Sequence, residues 1–156
     1  MTKGVREAFA DWMMVLAAPL LGLSLFLTWS HQFSASFESR YSGTAILRGI
    51  PRNPNAWQVY SVADVFLAVV AVGLLAVALR GGPVARLVVA LAAAIAIAFT
   101  LHALSVPPTN GANLFDPTLR PPGYTPNSPG SGAGEIVALI ALGLGLGGLL
   151  VSFTAD

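Results

Sequence analysis

The sequence predicts an all-α membrane protein: one integral membrane domain over residues 1–156, built as a four-transmembrane-helix bundle with two longer loops on one side. Two observations carry this expectation. Of the 156 residues, 55% are hydrophobic and 10% are charged, whereas an ordinary soluble domain is about 25% charged; the mean hydropathy is +0.74. The few charges are also segregated. They leave four nearly charge-free stretches, each close to the roughly 20 residues that cross a hydrocarbon core at a rise of 1.5 Å per residue.

The first span, residues 12–30, reads "WMMVLAAPLLGLSLFLTWS" and lies between Asp11 and the polar pair His31 and Gln32. Lys3 and Arg6 ahead of it resemble the start of a signal peptide, but the apolar run exceeds a typical signal core, so the span is expected to be retained. Pro19 removes one backbone hydrogen bond inside it. The second span, 59–79, closes at Arg80; the third, 84–104, opens after Pro83; the fourth is 134–153. "RGGPVAR" between the second and third spans leaves room for a tight turn only.

Lys3, Arg6, Arg80 and Arg86 all fall on the side of that turn. Lys and Arg close to span ends mark the cytoplasmic face, so both termini are expected in the cytoplasm and the protein in the inner (plasma) membrane. The Ala-, Gly- and Pro-rich usage suggests a bacterial coding sequence. Because the chain contains no cysteine, orientation can be read directly. A cysteine introduced at Ser42 or Thr109 should label from outside with an impermeant thiol reagent, and one at Gly81 should not; the opposite pattern inverts the topology.

The outer loops, 31–58 and 105–133, hold nine of the eleven prolines, two in the first and seven in the second. In the first, Phe33, Ala35 and Phe37 alternate with polar residues, and "SGTAILRGI" follows a turn-like "YSG", which predicts a short β-hairpin. The second is punctuated by Pro and Gly too often for regular structure; "NLF" and "TLR" give it apolar anchors, so it is expected to pack on something.

The fourth span, "GEIVALIALGLGLGGLLVSF", alternates Gly and Leu like a strand, but an unpaired strand would leave its backbone groups unsatisfied in lipid. At the helical period Gly134, Ala138, Ala141, Gly145, Gly148 and Ser152 form one small-residue stripe, while Gly143 and Gly147 form a GxxxG pair on nearly the opposite side. Small residues let helices approach closely in lipid. The long stripe is expected to meet the chain's own bundle, against Ala90, Ala94 and Ala98 of the third span and Ala18 and Gly22 of the first. The Gly143 and Gly147 face is expected to meet a second membrane subunit or another copy, although internal packing or coding drift would leave the same pattern.

Among chemical side chains, Asp64 and Glu135 are the acids within the expected spans. Both fall in a first helical turn, where the macrodipole favours negative charge. Asp64 stands three residues after the N-cap candidate Ser61, and Glu135 three after Gly132, so capping is the plainer role and proton or ion handling the alternative. His31 and His102, the two histidines, both fall near the outer boundary and could ligate haem or a metal if they met. Trp12, Trp29, Trp57 and Tyr60 stand at expected water–lipid boundaries, as anchoring aromatics do.

No hydrolase, nucleotide-binding or zinc-protease motif occurs, there is no basic run for nucleic acid, and no broken inverted helices suggest a transporter. The chain therefore reads as a non-catalytic integral membrane subunit, accessory or scaffolding in character, without a cofactor or metal. Its partners are the lipid bilayer and other membrane subunits or its own copies. The four spans, long first outer loop and tight inner turn resemble the layout of claudin-like tetraspan proteins in topology. The claudin loop signature is missing, since Trp57 stands alone and there is no cysteine, so this resemblance implies no residue role.

Overall fold

The structure is a computed structural model that describes residues 2–43, 51–108 and 129–155. The elements in order are α1 (Lys3–Ser24), β1 (Ser30–His31), α2 (Ala35–Tyr41), α3 (Ala56–Val59), α4 (Ala63–Arg80), α5 (Pro83–Ser105), β2 (Gly130–Ser131) and α6 (Ala133–Ala155). Four of them, α1, α4, α5 and α6, are long and apolar enough to cross a membrane. The chain is thus a multi-pass membrane bundle of largely helical character.

Around the bundle, α1 packs on α6 and α4, and α5 packs on the same two helices, so α1 and α5 face each other across one diagonal and α4 and α6 across the other. One buried cluster draws on all four, from Met14, Leu21 and Leu25 through Leu67 and Leu74 to Ala93, Ala96, Ala138 and Leu149. The opposite faces carry Leu16, Leu23, Val69, Val72, Leu91, Ile95, Ile136 and Ile140, all exposed. Together with four helices of spanning length, an exposed apolar belt of that kind suits a lipid surround, since soluble monomers rarely leave large apolar patches in water.

Helix ends differ from the expected spans for local reasons. α1 begins nine residues before position 12, because Lys3, Arg6, Glu7 and Ala8 are good helix formers and nothing in the polar segment stops the helix. It ends six residues before position 30: the N–H groups of Leu25, Phe26 and Leu27 turn back to Gly22, Leu23 and Ser24 in a tightened last turn. The chain then runs extended. The second span divides, since Asn55 and Gln58 form a capping box that starts the one-turn α3, and the extended Tyr60 separates it from α4. Pro83 takes the first position of α5, where its missing N–H costs nothing.

The expected hairpin in the first loop is corrected in its described part. Residues 35–41 form α2, with the Ser34 hydroxyl accepting from Phe37 N–H at 3.3 Å. The alternation of Phe33, Ala35 and Phe37 fits a strand as a pattern, yet Phe33, Phe37 and Tyr41 are also spaced by four. Their rings follow one another, Phe33 stacked on Phe37 at 5.5 Å and Phe37 tilted against Tyr41 at 4.7 Å between centroids. Residues 44–50, which include most of "SGTAILRGI", lie outside the described residues, as do 109–128 with "NLF" and "TLR".

The strand pairing that forms is between loops. β1 and β2 pair antiparallel, with Ser30 opposite Ser131 and His31 opposite Gly130. On the other edge of the 25–32 segment, Trp29 N–H donates to Pro54 carbonyl at 2.9 Å, Gln32 N–H to Arg52 carbonyl at 3.0 Å and Ala56 N–H to Leu25 carbonyl at 3.2 Å. Gln32 Nε2 also reaches the Pro108 carbonyl at 2.9 Å. The segment after α1 is therefore the central strip of a cap that ties both long loops to one end of the bundle.

Candidate functional site

The cap closes on the N-terminus of α6. Gly134 N–H donates to the Thr28 carbonyl at 2.7 Å. A Cβ on Gly132 would run into the Thr28 carbonyl oxygen and the Trp29 backbone, and one on Gly134 would meet the Trp29 indole and lie 2.9 Å from the Ser24 carbonyl oxygen. Only glycine allows this approach at either position. Trp29 is fully buried in the seam, and its Nε1–H donates to the Ser24 carbonyl at 2.8 Å, satisfying an end carbonyl of α1. Trp29 is therefore not a lipid-boundary anchor. Trp12, and Trp57 with Phe26 beside it at 6.1 Å, are exposed and suit that role.

Tyr60 meets Trp29 edge-on at 5.7 Å and Phe99 edge-on at 5.1 Å, which joins the α3–α4 connection and α5 to the same aromatic cluster. Burial, and then the charge of nearby Glu135, push the Tyr60 hydroxyl above its ordinary value, so the phenol stays neutral at any physiological pH.

Glu135 lies in the first turn of α6 and is fully buried. Its Oε2 accepts the Gly132 N–H at 3.2 Å, the reach-back half of a capping box. Its Oε1 is buried without a hydrogen-bond partner among the described residues. Asp64 is also buried, but Ser61 is not its cap partner. The N-cap of α4 is Val62, without a side-chain bond, and Asp64 Oδ1 accepts the N–H of Val65 at 2.7 Å.

The stripe of α6 divides by what each position touches. Gly134, Ala138, Ala141, Gly145, Gly148 and Ser152 are all buried. A Cβ on Gly145 would lie 2.8 Å from Leu74 Cδ1 and 3.4 Å from Ala17 Cβ, and one on Gly148 would lie 2.8 Å from the Ala10 carbonyl oxygen and 3.0 Å from Met13 and Met14. Gly147 meets Met13 of α1, whose Cε would be 3.0 Å from an added Cβ, so it belongs to the α1 seam of the chain's own bundle. A Cβ on Gly143 would meet no atom of another described segment within 4 Å. On α5 the buried positions are Ala93, Ala96, Thr100 and Ala103, while Ala94 and Ala98 are exposed. Alanine is frequent enough there to supply more than one small face, so its spacing did not choose the inner one.

His31 is exposed, with Nδ1 2.7 Å from Asn53 Oδ1. His102 is exposed in the last turn of α5. Neither ring faces the buried core. Among the described residues, no group of three or more His, Cys, Asp or Glu side chains gathers as a metal ion would require.

Comparison of the chain with protein-family models, with curated proteins and with solved structures finds no match. The local geometry is thus the whole basis for a functional reading. The residue that sequence reasoning missed is Trp29 as the keystone of the cap. Its signal was "GAGE" at 132–135, two glycines around a helix start beside a carboxylate, a pattern that marks a close approach by another segment.

Proposed function

We propose that the protein is a non-catalytic integral membrane subunit, free of cofactor, that docks by a helix face within a larger membrane assembly or against its own copies. The observation that supports this reading is the unequal use of glycine in α6. Glycine inside a helix costs about 0.5–1 kcal/mol relative to alanine. Gly134, Gly145 and Gly148 recover that cost through contacts that a side chain would block, whereas Gly143 sits mid-helix with open space around it. Gly22 of α1 is open in the same way. A partner helix at close backbone distance gives these two positions the reason that the other glycines find within the chain. Cytoplasmic termini and an outward-facing cap belong to the same proposal.

Gly143→Leu tests it. Overpacking a helix contact costs about 1–3 kcal/mol, so partner retention in mild detergent should fall roughly five- to hundredfold, while the melting temperature of the subunit itself stays the same. A native chain that purifies as a lone, stable monomer and gains nothing on addition of membrane extract would remove the support for docking.

A further inference from the structure

We propose that Glu135 is a proton-binding site at the cap end of the bundle, taking a proton on Oε1 from water at that end and releasing it there. Three features of the site lead to this. The side chain is fully enclosed, one oxygen holds a single backbone donor, and the other has none. A buried carboxylate left in that state lacks what a charge needs in place of water. The Trp29 Nε1–H, which lies beside α6 at Gly134, is already given to the Ser24 carbonyl.

No charge on the surrounding elements balances it among the described residues. From the α3–α4 connection the titratable group that faces it is Tyr60, a neutral phenol. The charged residues of α1, namely Lys3, Arg6, Glu7 and Asp11, lie in its first half, at the far end of the bundle. On α5, Arg86 belongs to that far end and His102 is exposed. Asp64 sits at the cap end on the diagonal helix α4 and is a further acid, not a cation. The helix N-terminus contributes partial positive charge and the one N–H.

A metal ion would need several further oxygen ligands, and no such cluster is present among the described residues. A proton needs none. Bound, it turns Oε1 into a neutral hydroxyl within the buried first turn of α6. Released, it leaves a bare charge in the same seam as the Gly134-to-Thr28 hydrogen bond, and the cap must admit water to meet it. The site is independent of the docking role proposed above.

Infrared spectroscopy of the purified full chain in lipid nanodiscs, recorded across mildly acidic to alkaline pH, tests the site. The expected result is a carboxylic-acid carbonyl band that titrates reversibly, persists in Asp64→Asn, disappears in Glu135→Gln and does not respond to sodium or potassium at constant pH. Carboxyl-isotope-labelled glutamate should shift the same band in the unsubstituted chain, which has only two other glutamates, Glu7 and Glu38, so the assignment survives a variant that fails to fold. In a Trp12→Phe, Trp57→Phe background, Trp29 emission should change with the same pH midpoint and lose that change in Glu135→Gln. The proposal is overturned if no glutamate carbonyl band titrates, or if sodium at fixed pH removes the band, which would make a metal ion the ligand.

Discussion

Trp29→Ala should be among the most destabilising single changes in this protein, costing about 3–5 kcal/mol, the range for truncating a buried large aromatic. The side chain is fully buried and touches α6 at Gly134 and Tyr60 of the α3–α4 connection. Through Tyr60 it is coupled to Phe99 of α5. Alanine removes these contacts and leaves a cavity that two glycines, lacking side chains, cannot refill. The change also removes the Nε1–H bond to the Ser24 carbonyl, which keeps only the longer bond from Leu27 N–H at 3.2 Å, and the lost hydrogen bond adds about 0.5–1.5 kcal/mol. Trp29→Phe should separate the two contributions by keeping most of the ring volume and losing only the N–H. Chemical or thermal unfolding in detergent, followed by tryptophan emission and helicity, measures both. A Trp29→Ala protein as stable as the native chain would show that the cap does not hold the bundle end together.

Gly145→Leu should also destabilise strongly, at the upper part of the roughly 1–3 kcal/mol range for overpacking or beyond it. At this level α6 faces Leu74 of the diagonal helix α4 and Ala17 of α1. The absence of a side chain on α6 is what lets the fully buried Leu74 occupy the centre of the bundle. A leucine at 145 competes for the volume that Leu74 already fills, so the two helices must separate or Leu74 must leave its position. Gly143→Leu, half a turn away on the open side, adds the same atoms starting from a Cβ with open space around it. The paired melting curves should therefore split, with a lowered midpoint for the first variant and an unchanged one for the second. Equal midpoints would mean that the interior of the bundle yields more readily than its packing suggests.

Much of the architecture was legible before the structure. Hydrophobic length and the segregation of charge identify four spans, and these are properties of composition that any lipid-crossing helix must have. Pro83 and Arg80 bracketed the tight turn correctly, since a proline at a helix start and a charge at a helix end report on the local backbone alone. The small-residue stripe of α6 was readable for the same reason. At 100° per residue, Gly134, Ala138, Ala141, Gly145, Gly148 and Ser152 share a face whatever lies beyond it.

Misreadings occurred where a local pattern admitted two structures. Phe33, Ala35 and Phe37 satisfy the period of a strand, while Phe33, Phe37 and Tyr41 satisfy that of a helix; the Ser34 cap tipped the balance to α2. Trp29 fits a boundary aromatic by position along the chain, but position along the chain does not say whether the segment leaves the bundle or folds back over it. The difference lies in Gly132 and Gly134, a hundred residues away.

By itself, then, the sequence determined which four stretches are long and apolar enough to cross a membrane, where the turn between the middle helices falls, and which residues of α6 are small enough for close packing. These follow from per-residue solubility in lipid and from helix periodicity, both of which act over a few turns. The tertiary structure alone decided which small face turns inward, that Gly147 meets Met13 while Gly143 stays open, that Trp29 closes over α6, and that one oxygen of Glu135 is buried without a partner. Those outcomes depend on how residues far apart in the chain share volume and hydrogen-bond donors at one end of the bundle, and no local pattern encodes who reaches whom.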